Sequence, residues 1–347
     1  MMKTPQPTAA GQPSSDTADK TSLSTELAMG GQAVIEGVMM RSPHRVAMAV
    51  RTPGGEIALR SYAYITITRR IKVLGLPVIR GAVGLVESLK IGLEALNWSA
   101  EQAVATDSDA PPRARWKDRA AFALSLLLAL GLGLGLFLYL PLWLGRVAAG
   151  GMAAGSARQV AINLVAGGVR ISLLLGYLWL ISQWKDIRRV FQYHGSEHKS
   201  IFAFEVGSDL TPDRALEQTR FHPRCGTSFL LVVALTAIVF FSAVDSAVVA
   251  FIGEYPSVLA RFLVHLLLLP ILAGISYEFL RFSAKHTGNR LVKVLIQPGL
   301  WLQRITTQEP DLSMCEVAVT ALKTALETED EAKAGGSALR QEVVPAS

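Results

Sequence analysis

The chain is poor in charge. Only 18% of its 347 residues are Asp, Glu, Lys or Arg, half are hydrophobic, and the mean hydropathy is +0.35. That excludes the reading suggested by length alone, a pair of soluble domains. Cysteine is scarce too. Cys225 and Cys315 are the two present, and both fall in segments expected in the cytosol, where thiols stay reduced. A structural disulfide is therefore not expected. Residues 1–26 lack the apolar core of a signal peptide. Their Thr, Ser, Pro, Gln and Ala content predicts a disordered tail, and 328–347 reads the same way. There is no internal repeat and no G-x-x-x-x-G-K phosphate loop. A net charge of +6 would suggest nucleic acid in a soluble protein. Here the basic residues flank apolar runs, so no nucleic-acid partner is expected.

What the chain does have is long apolar runs, at 121–144, 163–182, 228–244 and 257–277. Crossing about 30 Å of hydrocarbon takes roughly 20 apolar residues at 1.5 Å rise. The predicted fold class is an all-α polytopic membrane protein with about four transmembrane helices, in pairs over 113–182 and 228–278, plus a small α+β portion that includes a β-hairpin. The third run is the shortest and ends at Asp245. Gly131, Gly133 and Gly135 in the first run predict close helix approach. Sixteen Lys and Arg fall within 113–119, 185–224 and 281–304, whereas the opposite loops hold Arg146 and Arg158. The positive-inside rule puts both termini and the 183–227 segment in the cytoplasm.

Outside the runs, a cytoplasmic α+β region is expected over 27–112. Two β-prone stretches, 46–50 and 57–64, flank Pro53-Gly54-Gly55 and predict a hairpin over 46–64. Residues 79–102 place Val83, Val86, Ile91 and Leu93 against Glu87, Lys90 and Glu94 at helical spacing. This amphipathic helix is either interfacial or packed on the cytoplasmic portion, the second being preferred. In the cytoplasmic segment 279–327, Ser313 to Glu316 has the form of a capping box. Val317, Ala321, Leu322 and Leu326 then make one apolar face.

Chemistry is concentrated in His194-Gly195-Ser196-Glu197-His198, of the form H-x-x-E-H. On a helix, residues four apart share a face, so His194 and His198 can hold one Zn²⁺ or another divalent metal. Glu197 is the candidate catalytic base. Gly195 lowers helix propensity by about 1 kcal/mol and weakens this argument. A further ligand is required. Glu205 is near but awkwardly spaced. His222 and Cys225, on a turn formed at Pro223, are the other candidate metal ligands. The plain alternative is that these side chains only satisfy carbonyls and pack. Glu278 and His286 follow the fourth run and either extend this polar set or form an ordinary membrane boundary.

Arg170 and Asp245 are expected to approach each other, because an isolated Arg in hydrocarbon is costly. His265 should face the bundle interior, with no acidic partner at its level. The stretch from Gly30 to Arg41 has Gly pairs suited to a tight turn. Glu36 and Arg41 there either pair or act as polar site groups.

Four strings occur in order: GGQAVIEGVMMRSP from Gly30, YHGSEHKS from Tyr193, HPRCGTSF from His222, and QPGLWLQRITTQEPDLSMCEVAVTAL from Gln297. Together they resemble the bacterial YqhQ-like family, domain of unknown function 1385, over about residues 28–326. The resemblance implies a multi-pass protein of the bacterial cytoplasmic (inner) membrane. It also implies a metal-dependent enzyme, a label that fits His194, Glu197, His198, His222 and Cys225. The function expected is a metal-dependent membrane hydrolase. The alternative is a non-enzymatic scaffold or assembly factor whose motifs are structural or bind a partner. A transporter ranks third, since four helices are few and no broken-helix repeats are found. The partners expected are the lipid bilayer and either a homo-oligomer or another membrane protein.

Overall fold

A computed structural model describes residues 29–104, 116–223, 225–286, 289–327 and 339–344; the expected N-terminal tail lies outside them. The chain enters through β1 (Gly30–Val34), β2 (Gly37–Arg41), β3 (Arg45–Arg51) and β4 (Ile57–Ala63). With β5 (Leu339–Val344) these form an antiparallel meander in the order β1-β2-β3-β4-β5. The expected hairpin is β3–β4, paired Val50 to Ala58 and Arg45 to Ala63. Its turn needs Gly55 at φ +88°.

Alternate residues of β2 and β3 face opposite sides, and both sides are covered. Met40, Ala47 and Ala49 pack on Val317, Ala321 and Leu322 of the C-terminal helix. Met39, Val46 and Met48 pack on Ile91, Ala95 and Trp98 of α1 (Ile79–Val104). The sheet is thus the middle of three layers. The second half of α1 packs on the sheet, whereas Val86 and Leu89 in its first half are exposed.

Three expectations for this region change. The Gly30 to Arg41 stretch is a strand pair with a two-residue turn at Ile35 and Glu36, the latter at φ +53°. Glu36 precedes β2 and Arg41 ends it, about 16 Å apart at strand rise and too far to pair. Glu36 instead accepts from Arg189, and Arg41 sits over the Tyr64 ring at 4.7 Å. Within the expected tail 328–347, residues 339–344 form β5, because the open edge of β4 offers unpaired backbone groups.

The helices that follow are α2 (Trp116–Leu134), a π-helical segment (Gly135–Tyr139), α3 (Leu140–Ala148), α4 (Ser156–Ile181), α5 (Lys185–Glu205) and α6 (Pro212–Leu216). Then come α7 (Gly226–Phe251), α8 (Val258–Lys285), α9 (Arg290–Thr306) and α10 (Leu312–Leu326). Four helical stretches are long and apolar enough to cross a membrane: Leu127–Ala148, Ser156–Ile181, Phe229–Phe251 and Val258–Ser283. Each overlaps one apolar run of the sequence. By length and composition they suggest a multi-pass membrane protein.

The glycines that let these helices approach are not those expected. A Cβ on Gly131, Gly133 or Gly135 would meet open space. One on Gly145 would strike the Ile162 carbonyl, and one on Gly167 the Ile238 side chain.

The third span runs past Asp245 because that carboxylate is neutralised inside the bundle. It accepts from Arg261, from Asn163 Nδ2 at 2.7 Å and from Tyr255 Oη at 2.9 Å, and it lies 3.0 Å from His265 Nε2. Arg261 therefore takes the place expected for Arg170, which donates from Nε to the Phe137 carbonyl at 3.2 Å. Phe137 lies in the π-helical segment, where the ordinary helical bonding is shifted. His265 has the acidic partner that the sequence concealed, since Asp245 is twenty residues away.

The cap of α10 also moves. Asp311, not Ser313, accepts from the Met314 N–H at 2.9 Å, and Glu316 pairs with Arg51 at 2.7 Å. An aspartate offers the helix N-terminus a full negative charge, which a serine does not.

Candidate metal centre

Helix α5 carries the H-x-x-E-H motif as regular helix, and every residue from Tyr193 to Ser200 is buried. Gly195, unfavourable by helix propensity, is required. The Gln308 carbonyl lies over it, where any Cβ would collide. Gln308 N–H in turn donates to Phe191 O at 2.8 Å. The glycine lets the segment between α9 and α10 pass directly over α5.

This packing sets the two imidazoles on one face with ring centroids 4.5 Å apart. The Nδ1 of His194 lies 2.7 Å from the Thr306 carbonyl, and that of His198 lies 2.5 Å from the Arg220 carbonyl. A carbonyl only accepts, so both Nδ1 atoms carry the proton and both Nε2 atoms keep a lone pair. Metal-ligating histidines are held in this way by their outer partners.

Cys225 supplies the third atom. It is the N-cap of α7, where Pro223 has already broken any helix, and its Sγ accepts from the Thr227 N–H at 3.4 Å. The His194 Nε2 to Cys225 Sγ distance is 3.2 Å, and the ligand atoms of His194, His198 and Cys225 all lie within 4.8 Å of one another. Tetrahedral zinc ligands at ordinary bond lengths stand about 3.3–3.6 Å apart, so the set fits with small adjustment. Burial works to raise the Cys225 thiol pKa. The adjacent His198 ring and Thr227 outweigh it and hold the pKa below the usual thiol value, as suits a thiolate ligand. Burial also lowers the His198 pKa, which keeps the ring neutral.

Glu197 is buried beside the trio. Burial pushes its carboxyl up to about 8, with Cys225 acting in the same sense and His194 against it. Its Oε2 has no hydrogen-bond partner among the described residues. The side chain lies against Gly31 of β1, where a Cβ would overlap the carboxylate. The first Gly pair of the N-terminal string thus has a role the sequence did not disclose.

The other candidates fall elsewhere. His222 stands beside the trio, its ring 5.6 Å from that of His198, and points its Nε2 at Glu205 Oε1, 3.2 Å away. Its backbone is clamped by Gln303 through bonds of 2.8 and 2.7 Å. Glu36 holds Arg189 and Tyr193 on α5. Arg41 lies on the sheet. Glu278 makes a two-pronged pair with Arg80, and His286 is exposed with its Nδ1 2.9 Å from the Phe282 carbonyl in its own helix. Sequence reasoning missed Thr306, Gln303 and Thr227, whose only signal was their place inside the quoted strings.

The model of a protein family of unknown function, DUF1385, matches residues 76–328. The uncharacterized protein YqhQ of Bacillus subtilis (strain 168) is 31% identical over 309 residues, covering 87% of this chain and 93% of that protein. The chain belongs to the DUF1385 family. The stretch matched by the DUF1385 model contains His194, Glu197, His198, His222 and Cys225, and it begins after β4. No solved structure matches the chain.

Proposed function

We propose that this DUF1385 protein is a metal-dependent enzyme of the bacterial cytoplasmic membrane, a hydrolase, with its site at the cytoplasmic face. The observation that carries this reading is the His194, His198 and Cys225 trio, with both Nε2 lone pairs freed by carbonyls on Nδ1. Three protein ligands leave a fourth position open, the pattern of catalytic rather than structural zinc. An ion held there would supply Lewis acidity toward water and toward the bond to be cleaved. Glu197, protonated near neutral pH by its burial, becomes a competent base once a cation lowers its pKa. Its free Oε2 is the atom that would take the proton. His222, paired with Glu205, would steady the turn that carries Cys225. The basic residues at 113–119, 185–224 and 281–304 support a cytoplasmic location for this end of the bundle and for both termini.

The second reading is a scaffold or assembly factor in which the trio only joins α5, α7 and α9, docking a second copy or another membrane protein. The burial of all three ligand residues favours it. Elemental analysis of protein purified without chelator tests the first reading. About one equivalent of zinc, iron or manganese is expected in the wild type, and little in His194→Ala or Cys225→Ser. Wild-type protein without stoichiometric metal would exclude it.

A further inference from the structure

The chain between β4 and the middle of α1 carries more exposed apolar surface than a water-facing segment tolerates. Ile71, Val73 and Leu76 precede the helix, Val86, Leu89 and Leu93 lie along it, and all six are about half or more exposed. The opposite face of α1 is taken by the sheet from Ile91 onward, so these six have no protein cover among the described residues.

Their position relative to the bundle identifies the cover. A Cβ on Gly81 of α1 would strike Gly274 and Tyr277 of α8, and a Cβ on Gly274 would strike the Val78 carbonyl. Val78 holds φ +68° at this contact. Gly274 lies nine residues inside the end of the apolar stretch Val258–Ser283, about 13 Å along the helix. The turn at Val78 to Gly81 therefore sits at hydrocarbon depth once α8 spans a bilayer. Its charge is matched there. Arg80 Nε and Nη2 donate to the two Glu278 oxygens at 2.6 and 2.5 Å, leaving a neutral pair. Arg69, Arg70 and Lys72 are exposed beside the apolar side chains, placed to meet anionic headgroups.

We propose that residues 65–96 form a fifth membrane-embedded element. It dips into one leaflet beside α8, with Val86, Leu89 and Leu93 against acyl chains and the basic cluster at the headgroups. The occupant of this apolar face is lipid, not a second chain. The element would tether the sheet to the membrane through α1.

The test uses full-length protein in phosphatidylglycerol-containing nanodiscs, with a cysteine introduced as Val86→Cys or Leu89→Cys. Glu101→Cys, exposed on the same helix, is the aqueous control. The native Cys225 and Cys315 are buried, and unsubstituted protein sets their background. A charged maleimide should label positions 86 and 89 at least about tenfold more slowly than 101, because its charge keeps it out of hydrocarbon. A lipid-soluble maleimide should label all three. Equal labelling by the charged reagent would overturn the proposal by showing water. Protection from both reagents, with spin labels at 86 and 89 relaxed by neither oxygen nor an aqueous nickel chelate, would overturn it by showing protein cover. Spin labels at the same positions give an independent readout: at 86 and 89, oxygen should relax the label more than an aqueous nickel chelate does, and the reverse would contradict it.

Discussion

Two glycines and one glutamate show how much of the site turns on single residues. Gly195 and Gly31 each remove a side chain where another group must pass, the Gln308 carbonyl in one case and the Glu197 carboxyl in the other. No local rule reveals this, because the neighbours come from more than 100 residues away. The H-x-x-E-H pattern was legible because its spacing is helical; that Gly195 supports the motif was not. Glu197 leads to a pH prediction for chelator-treated protein. Its folded pKa of about 8 exceeds the ordinary 4.5, so the folded state keeps a proton that the unfolded state loses. Stability is then full below about 4.5, falls as pH rises toward 8, and is level above, by on the order of a few kcal/mol. Thermal unfolding in detergent from pH 6.5 to 8, above the range where the buried His198 and His222 act in the opposite sense, should show this fall in the wild type and not in Glu197→Gln. A flat wild-type profile would show that the carboxyl is not held protonated.

At the scale of elements, the spans were readable from hydropathy because lipid demands runs of apolar residues. The third was cut short at Asp245, since a charge looks like an end until its partners are known. Those partners, Arg261, His265, Asn163 and Tyr255, come from two other helices and a loop. Arg170, expected to approach Asp245, lies within reach of its charge, but the direct ion pair is made by Arg261. Arg261 is 5% exposed, so removing its acceptor strands a cation. Asp245→Asn should cost about 3–5 kcal/mol and lower the unfolding temperature in detergent clearly. Asp245→Leu combined with Arg261→Met should cost much less. Equal melting of Asp245→Asn and wild type would mean that the pair is idle.

For the whole molecule, the arrangement that matters is convergence. A helix after the second span, the N-cap of the third and the end of an amphipathic helix after the fourth bring His194, Cys225 and Thr306 to one point. The sheet closes over Glu197 from β1. The grouping of His194, His198 and Cys225 was legible in the sequence, and the family resemblance was legible in four ordered strings. The sequence could not show that His222 turns toward Glu205 or that β5 returns to β4, because both depend on packing between distant segments. We propose that this convergence makes one nitrogen- and sulfur-liganded ion site. X-ray absorption at the edge of whichever metal copurifies with the wild-type protein tests it most directly. For zinc, two nitrogen neighbours near 2.0–2.1 Å and one sulfur near 2.3 Å are expected in the wild type. A shell of oxygen neighbours without sulfur in the wild type would contradict it.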